Sequence, residues 1–308
     1  MNQLNKAIQA TCIACALLLM TLDTYGQGGG KTAGTGMLVS VSWLAENQKD
    51  PSLVILHVAS IRRDYSNGHI PGARFLWTNA MASSNPDLTY EVPSIQQLDT
   101  TLKALGVNDD SRIILYGSGG NVTIVTRMFF TLDYLGLGGR TAILDGGLDA
   151  WKAGGHPVSK EPASFKRGNA TLQPNASLVA TWDVVRSAVD KPGFSIIDAR
   201  GQQFYQGNGG GMPRAGHIPS AKNIPFSTVV DSTNKMKSVA ELTKMFTEAG
   251  VKQGDNVVTY CHIGQQATLL YFTAKYLGYN VRLYDGSFED WSGREEGPVV
   301  NPSGTKSQ

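Results

Sequence analysis

Short apolar runs alternate along this chain with stretches in which apolar residues recur every third or fourth position. Residues 53–58 and 113–117 in the first half, and 194–200 and 256–260 in the second, read as buried strands. Residues 95–105, 239–249 and 268–277 carry the spacing of packed helices. Strands separated by amphipathic helices predict a parallel sheet flanked by helices.

The pattern occurs twice. A strand, a Gly-His-Ile-Pro turn, a helix, a strand-to-helix loop and an Asp-Gly turn follow one another in the same order. The first copy has its turn at Gly68, His69, Ile70 and Pro71 and its Asp145-Gly146-Gly147 segment just before Trp151. The second has Gly216, His217, Ile218 and Pro219, then Asp285-Gly286-Ser287 before Trp291. Two homologous α/β domains are expected, over residues 27–158 and 177–308. Residues 159–176, polar, aperiodic and holding Pro162 and Pro174, form the linker between them. His69 and His217 recur in both copies and read as structural turn residues, and Trp151 and Trp291 as core packing.

The copies part company at one loop. The second reads Cys261, His262, Ile263, Gly264, Gln265, Gln266, Ala267, whereas the first has Gly117, Ser118, Gly119, Gly120 and Asn121 and no thiol. Asp198 and Arg200 likewise fall opposite His57 and Ala59. The first domain is therefore expected to lack catalysis, to pack against the second and to wall part of its cleft. A thiol at the carboxyl end of a strand, where successive amides lead into a helix, stands where open α/β sheets bind ligands and where a thiolate is favoured. The opposing reading is a small core cysteine.

Composition narrows the setting. The chain has 308 residues, 41% of them apolar and 17% charged, with a formal charge of +2, which points to neither a nucleic acid nor a membrane surface as partner. Residues 1–26 combine Lys6, an apolar run over 7–22 and small residues near Gly26, the form of a signal peptide, so export to a periplasm is expected. Cys12 and Cys15 fall inside that segment, and a lipidated Cys15 or an uncleaved leader would instead anchor the chain to a membrane. An exported chain left with Cys261 alone has no internal disulfide. A cysteine phosphatase would need arginine six residues after its nucleophile, where Ala267 stands, and Gly28-Gly29-Gly30-Lys31-Thr32 lacks the first glycine and the strand of a phosphate-binding loop.

The duplicated unit, its Gly-His-Ile-Pro turns, the Asp198-Ala199-Arg200 strand end and the Cys261 loop together resemble the tandem-domain rhodaneses, the thiosulfate and 3-mercaptopyruvate sulfurtransferases, over about residues 37–300. The resemblance implies that Cys261 takes up a sulfane sulfur as a persulfide while the first domain stays silent. It implies that the amides of His262, Ile263, Gly264, Gln265, Gln266 and Ala267 hold the persulfide, and that Arg200, supported by Asp198, meets the sulfonate of a donor. An ion pair of Arg200 with Asp198 or Asp285 is the competing assignment. No metal or organic cofactor is implied; the partners are a small sulfur donor and cyanide or a thiol acceptor. His262-Ile263-Gly264 matches neither the basic run of vertebrate thiosulfate enzymes nor the Gly-Ser-Gly of mercaptopyruvate enzymes. The second arginine of many mercaptopyruvate enzymes is missing after Arg200, where Gly201, Gln202, Gln203 and Phe204 follow, so thiosulfate is expected over 3-mercaptopyruvate. A non-enzymatic exported persulfide carrier or thiol sensor is the alternative of another class. The glycines at 207–211 are expected to form a flexible rim.

Overall fold

The computed structural model describes residues 36–304; the expected leader, with Cys12 and Cys15, lies outside them. The first half runs β1 (Leu38–Val39), α1 (Val41–Asn47), β2 (Leu53–Ala59), α2 (Arg62–Asn67), β3 (Arg74–Trp77), α3 (Ile95–Ala104), β4 (Arg112–Tyr116), α4 (Val122–Tyr134), β5 (Thr141–Leu144) and α5 (Gly147–Ala153). The second runs α6 (Trp182–Ala188), β6 (Phe194–Asp198), α7 (Gln202–Tyr205), β7 (Lys222–Asn223), α8 (Val239–Glu248), β8 (Asn256–Tyr260), α9 (Ala267–Tyr276), β9 (Asn280–Leu283) and α10 (Ser287–Gly293). Ser40, Ser94, Thr181 and Ser238 cap the helices that follow them, Ser238 in a reciprocal capping box with Glu241.

Both sheets are parallel, in the orders β1-β5-β4-β2-β3 and β7-β6-β8-β9. His57 pairs with Tyr116 in the first and Asp198 with Tyr260 in the second, so the register sets His57 and Asp198 at matching strand ends. Parallel strands with helices on both faces are buried throughout, which is why β2 is buried along its whole length.

The outer face of each sheet has its own core, around Trp151 in one half and Trp291 in the other. The inner faces share a single continuous core, because α4 and α9 pack against each other. Phe129 meets Phe272 and Phe130 meets Tyr271 edge to face, with centroids 4.9 and 5.0 Å apart. Thr126 and Thr268 lie 2.9 Å apart between their hydroxyls, and Asp133 accepts from Tyr271 and Lys275, each at 2.6 Å. Residues 159–176 follow the first half as an extended strap, joined to it by Gly168 N–H to Lys103 O and Ala170 N–H to Val107 O.

The repeated histidines have backbone duties. His69 Nδ1 lies 2.9 Å from Tyr65 O and Nε2 3.0 Å from Glu161 O; His217 Nδ1 lies 2.7 Å from Tyr205 O. Each ring stacks on the neighbouring tyrosine at 3.7 Å. Trp151 and Trp291 are buried and donate to the carbonyls of Pro157 and Pro298.

Candidate active site

Cys261 leaves the end of β8 and the chain turns at once into α9. Gly264, at φ +82°, makes that turn possible. A Cβ there would also stand 2.6 Å from the Asp285 carbonyl, closer than real contacts allow. The turn directs the amides of Ala267, Ile263, Gln266 and Gly264 at the thiol sulfur. The thiol is fully buried, and burial pushes its pKa up while those four amides pull it down; burial prevails. The sequence alone argued for a favoured thiolate at this helix entrance. The enclosed resting site holds a thiol instead, because desolvation of the sulfur outweighs its amides.

Arg200 is also buried, at 2% exposure. Its Nε and Nη2 donate to Asp198, Nη2 to Oδ2 at 2.6 Å, and Nη2 also donates to the Gly216 carbonyl at 2.7 Å. Its guanidinium lies over the Phe288 ring at 4.1 Å. Nη1 makes no hydrogen bond among the described residues. Asp285 is not its partner: that carboxylate accepts two hydrogen bonds from Arg127. His262 meets the Phe204 ring edge on, with centroids 4.5 Å apart. Burial and the nearby Arg200 charge lower the His262 pKa, against opposing pulls from Asp198 and Gln266, so the ring is neutral near pH 7 and adds no charge beside the sulfur. Gln265, expected to lend its amide to the sulfur, instead ties the loop to the first half through its side chain, donating from Nε2 to Thr123 at 3.0 Å. Gly209 lies close against the Phe204 ring, where a Cβ would come within 2.1 Å of Cδ1.

Three residues to which the sequence assigned no part in the site complete the surroundings. Ser287, fully buried at φ +52°, accepts the Cys261 N–H at Oγ over 3.2 Å and donates to Tyr284 O at 2.9 Å. Arg127 comes from α4 in the first half and is wholly buried. Glu91 lies in a first-half hairpin closed by the Ser83–Glu91 bridge, next to Thr89 and Val92, which bond to Glu289 and Asp285. Only the Asp-Gly-Ser triplet, against Asp-Gly-Gly in the other copy, left a trace of any of these in the sequence.

The first half reproduces the frame without the thiol. Leu148 N–H donates to Gly117 O as Phe288 N–H donates to Cys261 O, which places Gly117 at the cysteine position. Asp145 accepts Met236 N–H at 2.9 Å, as Asp285 accepts Val92 N–H at 3.1 Å, so each half lends a hairpin to the other's turn. Against the first-half loop lies a cavity of about 40 Å³, lined by Gly117, Val125, Phe272 and Met236 among others.

The family model of the rhodanese-like domain matches residues 40–154 and 181–294. The chain belongs to the rhodanese-like family. A sulfur carrier protein of Thermus thermophilus is 29% identical over 86% of this chain and 96% of its own length. A thiosulfate sulfurtransferase of Azotobacter vinelandii is 29% identical over 81% and 91%. Among solved structures, SseA from Escherichia coli, described with the fold and catalytic mechanism of 3-mercaptopyruvate sulfotransferases, superposes with a TM-score of 0.73 at 28% identity, covering 82% of this chain and 99% of that one. Both matched rhodanese-like segments fall on the α/β halves described above, and among the described residues no helix is long and apolar enough to cross a membrane.

Proposed function

We propose that the protein is a sulfurtransferase that moves a sulfane sulfur from thiosulfate to cyanide or a thiol through a persulfide on Cys261. The convergence of four loop amides on the Cys261 sulfur, in the half that alone has a thiol at this position, carries the reading. The Cys261 thiol gives up its proton to solvent, the thiolate so formed attacks the outer sulfur of thiosulfate, the S–S bond breaks and sulfite leaves with the electron pair. Cyanide then attacks the outer sulfur of the persulfide and departs as thiocyanate, returning the thiolate. In the persulfide the anionic sulfur lies one bond beyond Sγ, and the amides of Ile263, Gly264, Gln266 and Ala267 are dipoles already oriented for it. Arg200 Nη1 is the donor left for an oxyanion of the substrate, the rest of the guanidinium being fixed by Asp198 and Gly216. Thiosulfate is favoured over 3-mercaptopyruvate because Gly201, Gln202, Gln203 and Phe204 follow Arg200 without a second cation for a carboxylate, and Phe204 turns an apolar ring to His262. Export to a periplasm, through the leader at residues 1–26, is part of the same reading.

A carrier role is the second reading, favoured by full enclosure of Cys261 and by the Thermus relative. Intact mass spectrometry after thiosulfate or 3-mercaptopyruvate, with released sulfite or pyruvate quantified, tests both. One added sulfur at Cys261, absent in Cys261→Ser and lost to cyanide over many turnovers, is the expected result. An adduct without turnover would leave the carrier, and no adduct from either donor would overturn sulfur transfer. The rate of Cys261 alkylation should climb with pH through about 8.5 without an earlier plateau, since burial holds the thiol above its ordinary value.

A further inference from the structure

We propose that Arg127, supplied by the half that lacks a nucleophile, is a positioning residue for the sulfur-binding loop and acts on it through Asp285. Arg127 sits inside α4 with no exposed surface, and its Nη1 and Nη2 donate to the two carboxylate oxygens of Asp285. Asp285 opens the turn on which the cysteine loop rests. From that turn and the start of α10, Ser287 Oγ takes the Cys261 N–H, Phe288 N–H donates to Cys261 O at 3.0 Å and Glu289 N–H donates to His262 O at 2.9 Å. Gly264, whose amide faces the sulfur, lies directly on the pair: a Cβ there would stand 2.9 Å from Asp285 Oδ1 and 3.3 Å from Arg127 Nη1. A shift of the guanidinium therefore moves the carboxylate, the turn and one of the sulfur's amide donors together.

The duplication supplies an internal comparison. The helix ends Asp133-Tyr134-Leu135-Gly136 and Lys275-Tyr276-Leu277-Gly278 align, Thr126 meets Thr268, and the residue matching Arg127 is Leu269. Asp145, the counterpart of Asp285, has no guanidinium; burial raises its pKa and Lys235 on the capping hairpin offsets part of that. Leucine thus meets the packing need of this helix position in the silent setting. Burying a guanidinium carries a large desolvation cost, and of the two copies of this helix position only the one beneath the thiol-bearing loop bears it. The buried Nε of Arg127 has no hydrogen-bond partner, so the hydrogen bonds that hold the group are its two to Asp285, with the Tyr90 and Phe130 rings 5.5 and 5.6 Å away.

The role assigned to Arg127 rests on the proposed sulfur transfer, and the test separates the two. Arg127→Lys keeps the charge and loses the two-point contact. It should fold, leave KM for thiosulfate within about twofold and lower kcat by about tenfold or more, since a small misplacement of reacting groups is costly. Asp285→Asn should lower kcat likewise, and the double variant should be no worse than the weaker single one, because both changes break one link. Iodoacetamide reactivity of Cys261, which needs no turnover, should change in rate and pH midpoint in all three variants. Wild-type kcat and reactivity in folded Arg127→Lys would overturn the role, as would fully additive losses. If the wild-type protein transferred no sulfur, the reactivity profiles alone would still decide whether Arg127 positions the loop.

Discussion

Ser287 occupies a left-handed backbone conformation that costs a serine on the order of 1 kcal/mol or more and costs a glycine almost nothing. The first half shows the relaxed solution, Gly147 at φ +58° in the corresponding turn, where a Cβ would meet the Gly117 carbonyl at 2.6 Å. The second half retains the strained residue, and its hydroxyl links Cys261 N–H to Tyr284 O. Ser287→Gly should therefore leave thermal stability unchanged or slightly raised, the relief of strain offsetting a lost hydrogen bond worth about 1 kcal/mol. Persulfide formation should nonetheless slow severalfold, as the Cys261 backbone loses its anchor. Single-turnover sulfur transfer measured beside a melting curve checks this, and a stable variant with wild-type transfer rate would show the hydroxyl to be dispensable.

At the scale of elements, the hairpins lent by each half to the other bring different side chains to the turns they cover. Lys235 stands beside Asp145, whereas Glu91 stands near Asp285, Glu289 and Asp290 with one buried carboxyl oxygen unpartnered. Burial first, and then Asp285, lift the Glu91 pKa to about 8 in spite of Arg127. In the folded protein Glu91 keeps a proton that the unfolded chain releases near 4.5, so its contribution falls as pH rises from about 4.5 to 8 and is flat above. Glu91→Gln, fixed in the neutral form, should be more stable than wild type at pH 9 by about 1–2 kcal/mol, the side chain being only partly enclosed, and indistinguishable from it at pH 4. Denaturant titrations at the two pH values measure it, and equal gaps at both would refute the protonated state. The central strands β2, β4, β6 and β8, the helices α3, α8 and α9 and the duplication were legible in the sequence, because apolar periodicity and turn residues are local. By contrast β1, β3, β5, β7 and β9, two to four residues long, are too short to show a period. The cysteine loop was legible because one copy has a thiol and the other has glycines. Arg127 and Glu91 were not, since each acts on residues more than a hundred positions away across the joined halves. The protonated state of the resting thiol was hidden for a related reason: enclosure by distant segments decides it.

Taken as a whole, the molecule has two sheets but not two independent inner cores. The cluster that covers the inner face of β2 and β4 runs without a break through Phe129, Phe130, Tyr271 and Phe272 to the inner face of β6 and β8. Separating the halves would expose this aromatic layer together with the buried Arg127–Asp285 pair and the Asp133 contacts, so neither half retains a closed core alone. The half without the thiol is thereby part of the foundation of the Cys261 loop. Unfolding should accordingly be one transition, although chains of this length often unfold in steps. Trp151 reports on the outer core of the first half and Trp291 on that of the second. With the other tryptophans replaced by phenylalanine, single-tryptophan variants at these positions should give the same urea midpoint. Phe272→Ala, which opens a cavity in the shared layer, should lower both midpoints equally, by a stability loss of about 3–5 kcal/mol. Two separated midpoints, or a shift confined to the Trp291 reporter, would mean that the halves fold as independent units and that the common core does not bind them into one cooperative structure.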